Sequence, residues 1–403
     1  MHMTAANTKG RTTMKLNRRQ MIATSAAALA LGGATSPARA AGVHDAELVI
    51  GTHIDLSGPA AAGMPSLRNA TELALTQANA AGGIHGRQIR MIVEDNGSQP
   101  QLAVRAVQKL IRSDEVFALL NPFGSGTNAA AMGPVVESGT VLFAPWGASA
   151  VFQQVSQGYA NLFTTVQNYN TTTARALDWA LKNWGVTKIG AILQEGPFGD
   201  LIRAGVVPTL QAAGLSLTEE AAYRPGDIDL SSQVARMRAA NVEVIIAGTI
   251  IRETVAVMAE VKKLGWNDVK VLTCIPGRGT IVARLGGEAT EGLYGIGGWR
   301  LHEEDTTDAD AQAFITAYRD AYGMVPDENA ANAYSYTNWF LNALRAAGRD
   351  LTADSFAAAA RATKHSDFTT YTELTFENNH AMPELVSIDQ IQGGRWVPLT
   401  EAF

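Results

Sequence analysis

An α/β protein made of two doubly wound halves is what this sequence predicts, on three observations. Short apolar runs alternate with amphipathic helical segments from Glu47 onward, the rhythm of a parallel sheet covered on both faces. The runs end in turns rich in Gly, Pro and Asp, where a strand hands over to a helix. After Phe163 the same alternation begins again. With 403 residues the chain exceeds one ordinary core, so two lobes are expected.

The first half reads strand, helix, strand, helix, strand, helix, strand. Residues 47–54 form an apolar strand that breaks at Asp55-Leu56-Ser57-Gly58-Pro59. Residues 66–80 have helical spacing through Leu67, Ala70, Leu73, Ala74 and Ala78, and stop at Gly82-Gly83. A second strand at 89–94 closes with Asp95-Asn96-Gly97, and residues 100–112 put Ala103, Val107, Leu110 and Ile111 on one helical face. Residues 116–120 read as a buried strand, and 141–144 as the next.

Between those two strands lies the stretch around which the half is organised, Asn121-Pro122-Phe123-Gly124-Ser125-Gly126-Thr127-Asn128. A strand, a glycine-rich turn and a helix start leave backbone N–H groups free where the helix dipole favours negative charge. Ser125 and Thr127 add hydroxyls and Phe123 an aromatic wall, so the turn is expected to receive a small carboxylate. Gly124, Gly126 and Ala129 also fit a loose dinucleotide fingerprint. That fingerprint wants an acid ending the next strand, and Pro145-Trp146-Gly147 stands there instead. A third reading keeps the glycines for strand–helix packing alone.

The second half repeats the pattern with helices at 171–184, 199–213, 231–240 and 253–264. Strands fall at 188–193, 215–223, 244–247 and 270–274, the second of them edge-like. Glu195-Gly196-Pro197-Phe198-Gly199, Gly248-Thr249 and Ile275-Pro276-Gly277-Arg278-Gly279 are its strand-end turns. From Gly292 the pattern is mixed, with helices at 309–322, 330–347 and 352–362 and a terminal hairpin from 371–376 and 384–392. Neither half completes its core without this remainder, so the chain is expected to cross between lobes more than once.

Composition narrows the partners. The net charge is −6 with hydrophobic content of 46%, which gives no support to nucleic acid as a partner. One cysteine, Cys274, excludes an intrachain disulfide and a cysteine-rich metal site, and is expected to be a buried small hydrophobe. Arg18-Arg19, an alanine-rich apolar run ending near Gly33, and Ala38-Arg39-Ala40 resemble a twin-arginine export signal cleaved near Ala40-Ala41. An ordinary secretory signal with two arginines stays open, and both lead out of the cytoplasm, to the periplasm. The apolar run is too short to be a permanent membrane span.

The order of turns resembles the periplasmic leucine/isoleucine/valine-binding proteins, solute receptors of branched-chain-amino-acid-type ABC transporters. The resemblance rests on Asp55 to Pro59, Asn79-Ala80-Ala81-Gly82-Gly83-Ile84-His85-Gly86, Glu94-Asp95, the Phe123 to Asn128 turn, Pro197-Phe198-Gly199 and Gly226-Asp227-Ile228-Asp229-Leu230-Ser231. It implies the type I periplasmic binding protein fold, two doubly wound lobes joined by three crossovers. The corresponding divisions are an export signal at 1–40, lobe one at 45–164, lobe two at 165–297, a return to lobe one at 298–365 and to lobe two at 366–403. Carried over position by position, Phe123, Gly124 and Ser125 fall where the family holds a carboxylate. Trp146, Gly147 and Ala148 fall on the next binding turn, Phe198 on the cleft wall, Thr249 on a lobe-two turn and Arg278 on the last. The implied partners are a small-molecule carboxylate and a membrane permease, with no cofactor and no metal.

Two departures shape the ligand expectation. A threonine is common near Ala148 in the amino-acid binders, and only Ser149 is at hand to replace it. An acid often meets the ligand's ammonium near Arg278, where a basic residue stands here. An arginine facing the ligand would favour a second negative group. Phe123, Trp146 and Phe198 together would sandwich a flat or greasy body. A hydrophobic or aromatic carboxylate is therefore expected before leucine. A ligand-loaded sensor for a membrane receptor is the alternative, followed by an exported cofactor enzyme. No H-E-x-x-H or G-x-S-x-G pattern supports catalysis, and Asp305, Asp308 and Asp310 lack the glycine and closing glutamate of a calcium loop.

Overall fold

The computed structural model describes residues 40–403, so the export-signal reading lies outside the described residues. Lobe one begins with β1 (Glu47–Ile54), α1 (Met64–Ala80), β2 (Gln88–Asp95), α2 (Pro100–Arg112), β3 (Ala118–Leu120), α3 (Ser125–Ser138), β4 (Val141–Phe143), α4 (Ser149–Val155) and β5 (Leu162–Phe163). Lobe two follows as α5 (Tyr169–Trp184), β6 (Ile189–Gln194), α6 (Pro197–Ala212), β7 (Leu217–Tyr223), α7 (Ser231–Ala239), β8 (Val244–Gly248), α8 (Ile251–Lys263), β9 (Lys270–Thr273), α9 (Thr280–Gly286) and β10 (Tyr294–Gly297). The chain then forms α10 (Ala309–Tyr322), α11 (Glu328–Ala347), α12 (Ala353–Ala362), β11 (Thr375–Glu377), β12 (His380–Met382), β13 (Ser387–Gln392) and β14 (Arg395–Pro398).

Both lobes wind the same way. The first sheet has the order β2-β1-β3-β4-β5, all parallel. The second runs β7-β6-β8-β9-β10, again parallel, and gains β13 and β14 as antiparallel edge strands. In each lobe the order reverses beside the first strand, and ligands of open α/β sheets bind beyond the C-terminal strand ends at that switch point. The turns after β3 and β8 stand there.

Side-chain alternation explains why each sheet is covered on both faces. Leu48 and Ile50 join one lobe-one cluster while Val49 joins another with Val107, Leu119 and Phe152. Phe143 centres the first cluster, edge-on to Trp339, Phe340, Phe356 and Phe376. All four of those rings come from residues after 338, so lobe one is completed by the distal segment, as the patterning requires.

The three crossovers run from β5 to α5, from β10 to α10, and from β12 to β13. The last lies later than the sequence boundary at 366 suggests. Phe368, Phe376 and Ala381 pack in the lobe-one cluster, so the chain returns to lobe two only around Pro383. The expected single hairpin is likewise two: β11 pairs with β12 in lobe one and β13 with β14 in lobe two. Short runs broken by Asn378-Asn379 and Gly393-Gly394 read as one hairpin until their partners are known. No helix among the described residues is long and apolar enough to cross a membrane.

Candidate ligand-binding cleft

The turn after β3 is held in place from below. Asn121 takes a left-handed φ of 52°, and its Nδ2 donates to Thr71 Oγ1 and Thr337 Oγ1, each at 3.0 Å. Phe123 N–H donates to His53 O at 2.9 Å, Gly124 N–H to Trp146 O at 2.9 Å, and Trp146 N–H to Pro122 O at 2.8 Å. The sheet thus continues one step past its strands. Gly124, at φ +109°, must be glycine, because a Cβ there would lie 2.3 Å from Thr127 Oγ1.

From Ser125 the chain becomes helical, and Asn128 N–H is the first to turn back, onto Gly124 O at 3.0 Å. The N–H groups of Ser125, Gly126 and Thr127 have no acceptor among the described residues. They are the orphan donors of the helix start, at its positive end. The donor set is narrower than the sequence suggests. Gly124 N–H is committed to Trp146, and the Thr127 hydroxyl donates to Phe123 O at 2.6 Å. Ser125 Oγ accepts from Ala148 N–H at 3.0 Å and keeps its own proton available.

The neighbouring turn is moulded onto Ser125. A Cβ on Gly147, at φ +137°, would sit 2.8 Å from both Ser125 N and Ser125 Oγ. Gly147→Ala is therefore expected to cost about 2 kcal/mol of stability, read from urea unfolding, and to weaken solute binding by displacing Ser125. Ser149 does not supply the missing threonine hydroxyl, because it is fully buried and donates to Val166 O at 2.5 Å. Trp146 packs against Tyr336 with ring centroids 6.0 Å apart, and its Nε1 has no partner among the described residues.

Lobe two brings its own turns to the same place. Phe198, just after Gly196-Pro197 at the start of α6, meets Tyr169 edge-on at 5.3 Å. Ala148 of lobe one is buried in the cluster that holds Tyr169, Phe198 and Ile275. The three rings Phe123, Trp146 and Phe198 form no stack with one another among the described residues. Trp146 pairs with Tyr336 and Phe198 with Tyr169. Thr249 is fully buried, with Oγ1 2.7 Å from Thr254 Oγ1.

Arg278 departs most from expectation. It is 2% exposed, and its Nε donates to Asp389 Oδ2 at 2.6 Å, with Nη2 on the same oxygen. Nη1 donates to Trp299 O at 3.0 Å. The reading of Arg278 as a cation awaiting a second negative group of the ligand is thus corrected, because Asp389 already neutralises it. Cys274 is buried, donates to Thr249 O at 3.3 Å, and burial pushes its thiol up to about 12.

A family model described as periplasmic binding protein matches residues 47–395. The chain belongs to the periplasmic binding protein family. A Leu/Ile/Val-binding protein homolog of Brucella abortus is 23% identical over 310 residues, covering 76% of this chain and 80% of that one. A leucine-binding protein of Thermotoga maritima superposes with a TM-score of 0.76 at 19% identity, over 87% of this chain and 97% of that one. A solute-binding protein of R. palustris in complex with benzoate gives 0.78 at 18% identity, over 89% and 97%. These likenesses support the two-lobed type I architecture described above.

Two buried rings beside the candidate turns of this periplasmic binding protein were missed in the sequence. Tyr169 opens α5 directly after the first crossover, and burial raises its hydroxyl well above the usual tyrosine range. Tyr336 on α11 touches Trp146 and also lines a hinge cavity with Gln167, Trp299, Asn332 and Tyr371. The signal for Tyr169 was present, an aromatic at a helix start beyond a strand. Tyr336 gave none, because its helix lies about 190 residues from Trp146 along the chain.

Proposed function

We propose that this periplasmic binding protein captures a small carboxylate with a hydrophobic or aromatic body and delivers it to an ABC permease. The observation that carries the reading is the row of free N–H groups at Ser125, Gly126 and Thr127, with the Ser125 hydroxyl beside them. A carboxylate fits such a row without a cationic side chain. The remaining turns, 146–149, 196–199, 249–251 and 275–279, carry no acid, and their one base is neutralised by Asp389. An amino acid's ammonium would find no carboxylate on those turns, and burying it unpaired is costly. Tyr169, Phe198, Trp146 and Tyr336 offer apolar faces for the body. The R. palustris neighbour with benzoate is compatible with this choice, while the name of the Brucella relative favours an aliphatic amino acid as the second reading.

A thermal-shift series of the mature chain with benzoate, phenylacetate, leucine and isoleucine tests this. Ligand at a hundred times its Kd adds about 2.7 kcal/mol to stability, a shift of several degrees. A shift with the aryl acids alone supports the proposal. A shift with leucine alone overturns the ligand class, and no shift with any of the four overturns both readings. Ser125→Ala is expected to weaken binding of the shifting acid about fivefold, near 1 kcal/mol, by calorimetry.

A further inference from the structure

Glu328 opens α11 on lobe one and reaches lobe two. Its Oε2 accepts from Thr280 N–H at 2.9 Å and from the Thr280 hydroxyl at 2.8 Å. Gly279, just before Thr280, has no room for a Cβ because Glu328 Oε1 occupies that space. The lobes also approach where a Cβ on Gly226 would lie 3.5 Å from Pro59. Glu328 is therefore a carboxylate bridging the two bodies that move when a solute is captured.

Its surroundings hold no direct counter-charge. Asp327, the preceding residue, accepts from Ala330 N–H at 3.0 Å and from the Ser66 hydroxyl at 2.8 Å. Asp327 and Glu328 are each 6% exposed, and neither forms an ion pair among the described residues. Arg284 on α9 is exposed and acts on Asp327 only through space. On the second crossover, Arg300 is exposed, and His302 is engaged by Phe368 O and the Thr306 hydroxyl, 2.7 and 3.0 Å away. Adjacent buried carboxylates without a paired cation resist carrying two charges.

We propose that Glu328 is an interlobe latch that takes up a proton as the cleft closes, so that closure is favoured by lower pH. When the lobes part, Thr280 leaves and the carboxylate faces water. On closure, burial first and the charge of Asp327 second raise Glu328 from 4.5 to about 7. A carboxylate whose pKa rises on closure favours the closed form when protonated. The closed-to-open ratio therefore grows as pH falls from about 7 toward 4.5, and levels off beyond either end. The latch does not depend on which acid is bound.

Nitroxide labels at Arg68→Cys on lobe one and Lys263→Cys on lobe two report the interlobe distance without any ligand, since Cys274 is buried. Between pH 8 and 5.5 the closed-to-open ratio is expected to rise about thirtyfold in the otherwise wild-type chain, and to stay flat in Glu328→Gln. A second readout covers the case in which the open population is too small to see. The unfolding midpoint of the wild type relative to Glu328→Gln should fall as pH rises over the same range. A wild-type distance distribution independent of pH, an equal slope in Glu328→Gln, or a flat difference in midpoint would each overturn the latch.

Discussion

Arg278→Met is expected to destabilise the protein by about 3–5 kcal/mol, because it leaves Asp389 buried without its cation. Asp389 is fully buried, and its remaining side-chain partner is the Ser387 hydroxyl at 2.8 Å from Oδ1. Asp389→Leu should be as damaging, for the mirror-image reason. The double variant Arg278→Met/Asp389→Leu should recover most of the loss, since removing both charges also removes both desolvation penalties. Urea unfolding of the four proteins closes the cycle. The pattern also separates two roles for the arginine. If it held the ligand, Arg278→Met would abolish binding at little cost in stability and the double variant would not restore it. The structure predicts the reverse, a double variant that still binds its ligand.

That pair also shows what kind of information the sequence withholds. The strand-turn-helix order of both lobes was legible because buried apolar runs, amphipathic spacing and Gly or Pro turns are local signals. Gly124 and Gly147 could be placed on strand-end turns for the same reason. Arg278 and Asp389 are 111 residues apart, and nothing near either one announces the other. The hydroxyls of Thr127, Ser149 and Thr249 were visible as residue types, but their hydrogen-bond partners were not. Each could equally have faced a ligand until the carbonyl or hydroxyl opposite it was known. The late position of the last crossover follows the same logic. Phe368 and Phe376 are apolar in any lobe, and only the Phe143 cluster shows which lobe claims them. Local chemistry fixes where turns form, and tertiary pairing decides which of their groups stay free.

Stability is expected to fall with pH below neutrality through His53, by about 3 kcal/mol in all. His53 is the penultimate residue of β1, its carbonyl accepting from Phe123 N–H in the turn after β3, and is 1% exposed; burial lowers its pKa from 6.5 to about 4. The folded state therefore binds fewer protons than the unfolded state between those values. The His53 contribution is fully present above pH 6.5, declines as pH falls toward 4, and is constant below that. The neutral ring sits 3.0 Å from Asn96 Nδ2, which also donates to Phe123 O at 2.9 Å. His53 Nδ1 is thus the acceptor that orients Asn96 against the turn after β3. Protonation of Nδ1 would set two donors face to face and release Phe123. His53→Gln keeps an acceptor but cannot titrate, so its unfolding free energy should lose that component of the slope between pH 7 and 4.5. The measurement is the wild-type minus variant difference in urea stability across that range. A difference that does not change with pH would mean that His53 takes up its proton in the fold at the ordinary 6.5. The structural consequence would then be a rotated Asn96 and a Phe123 carbonyl left without its donor.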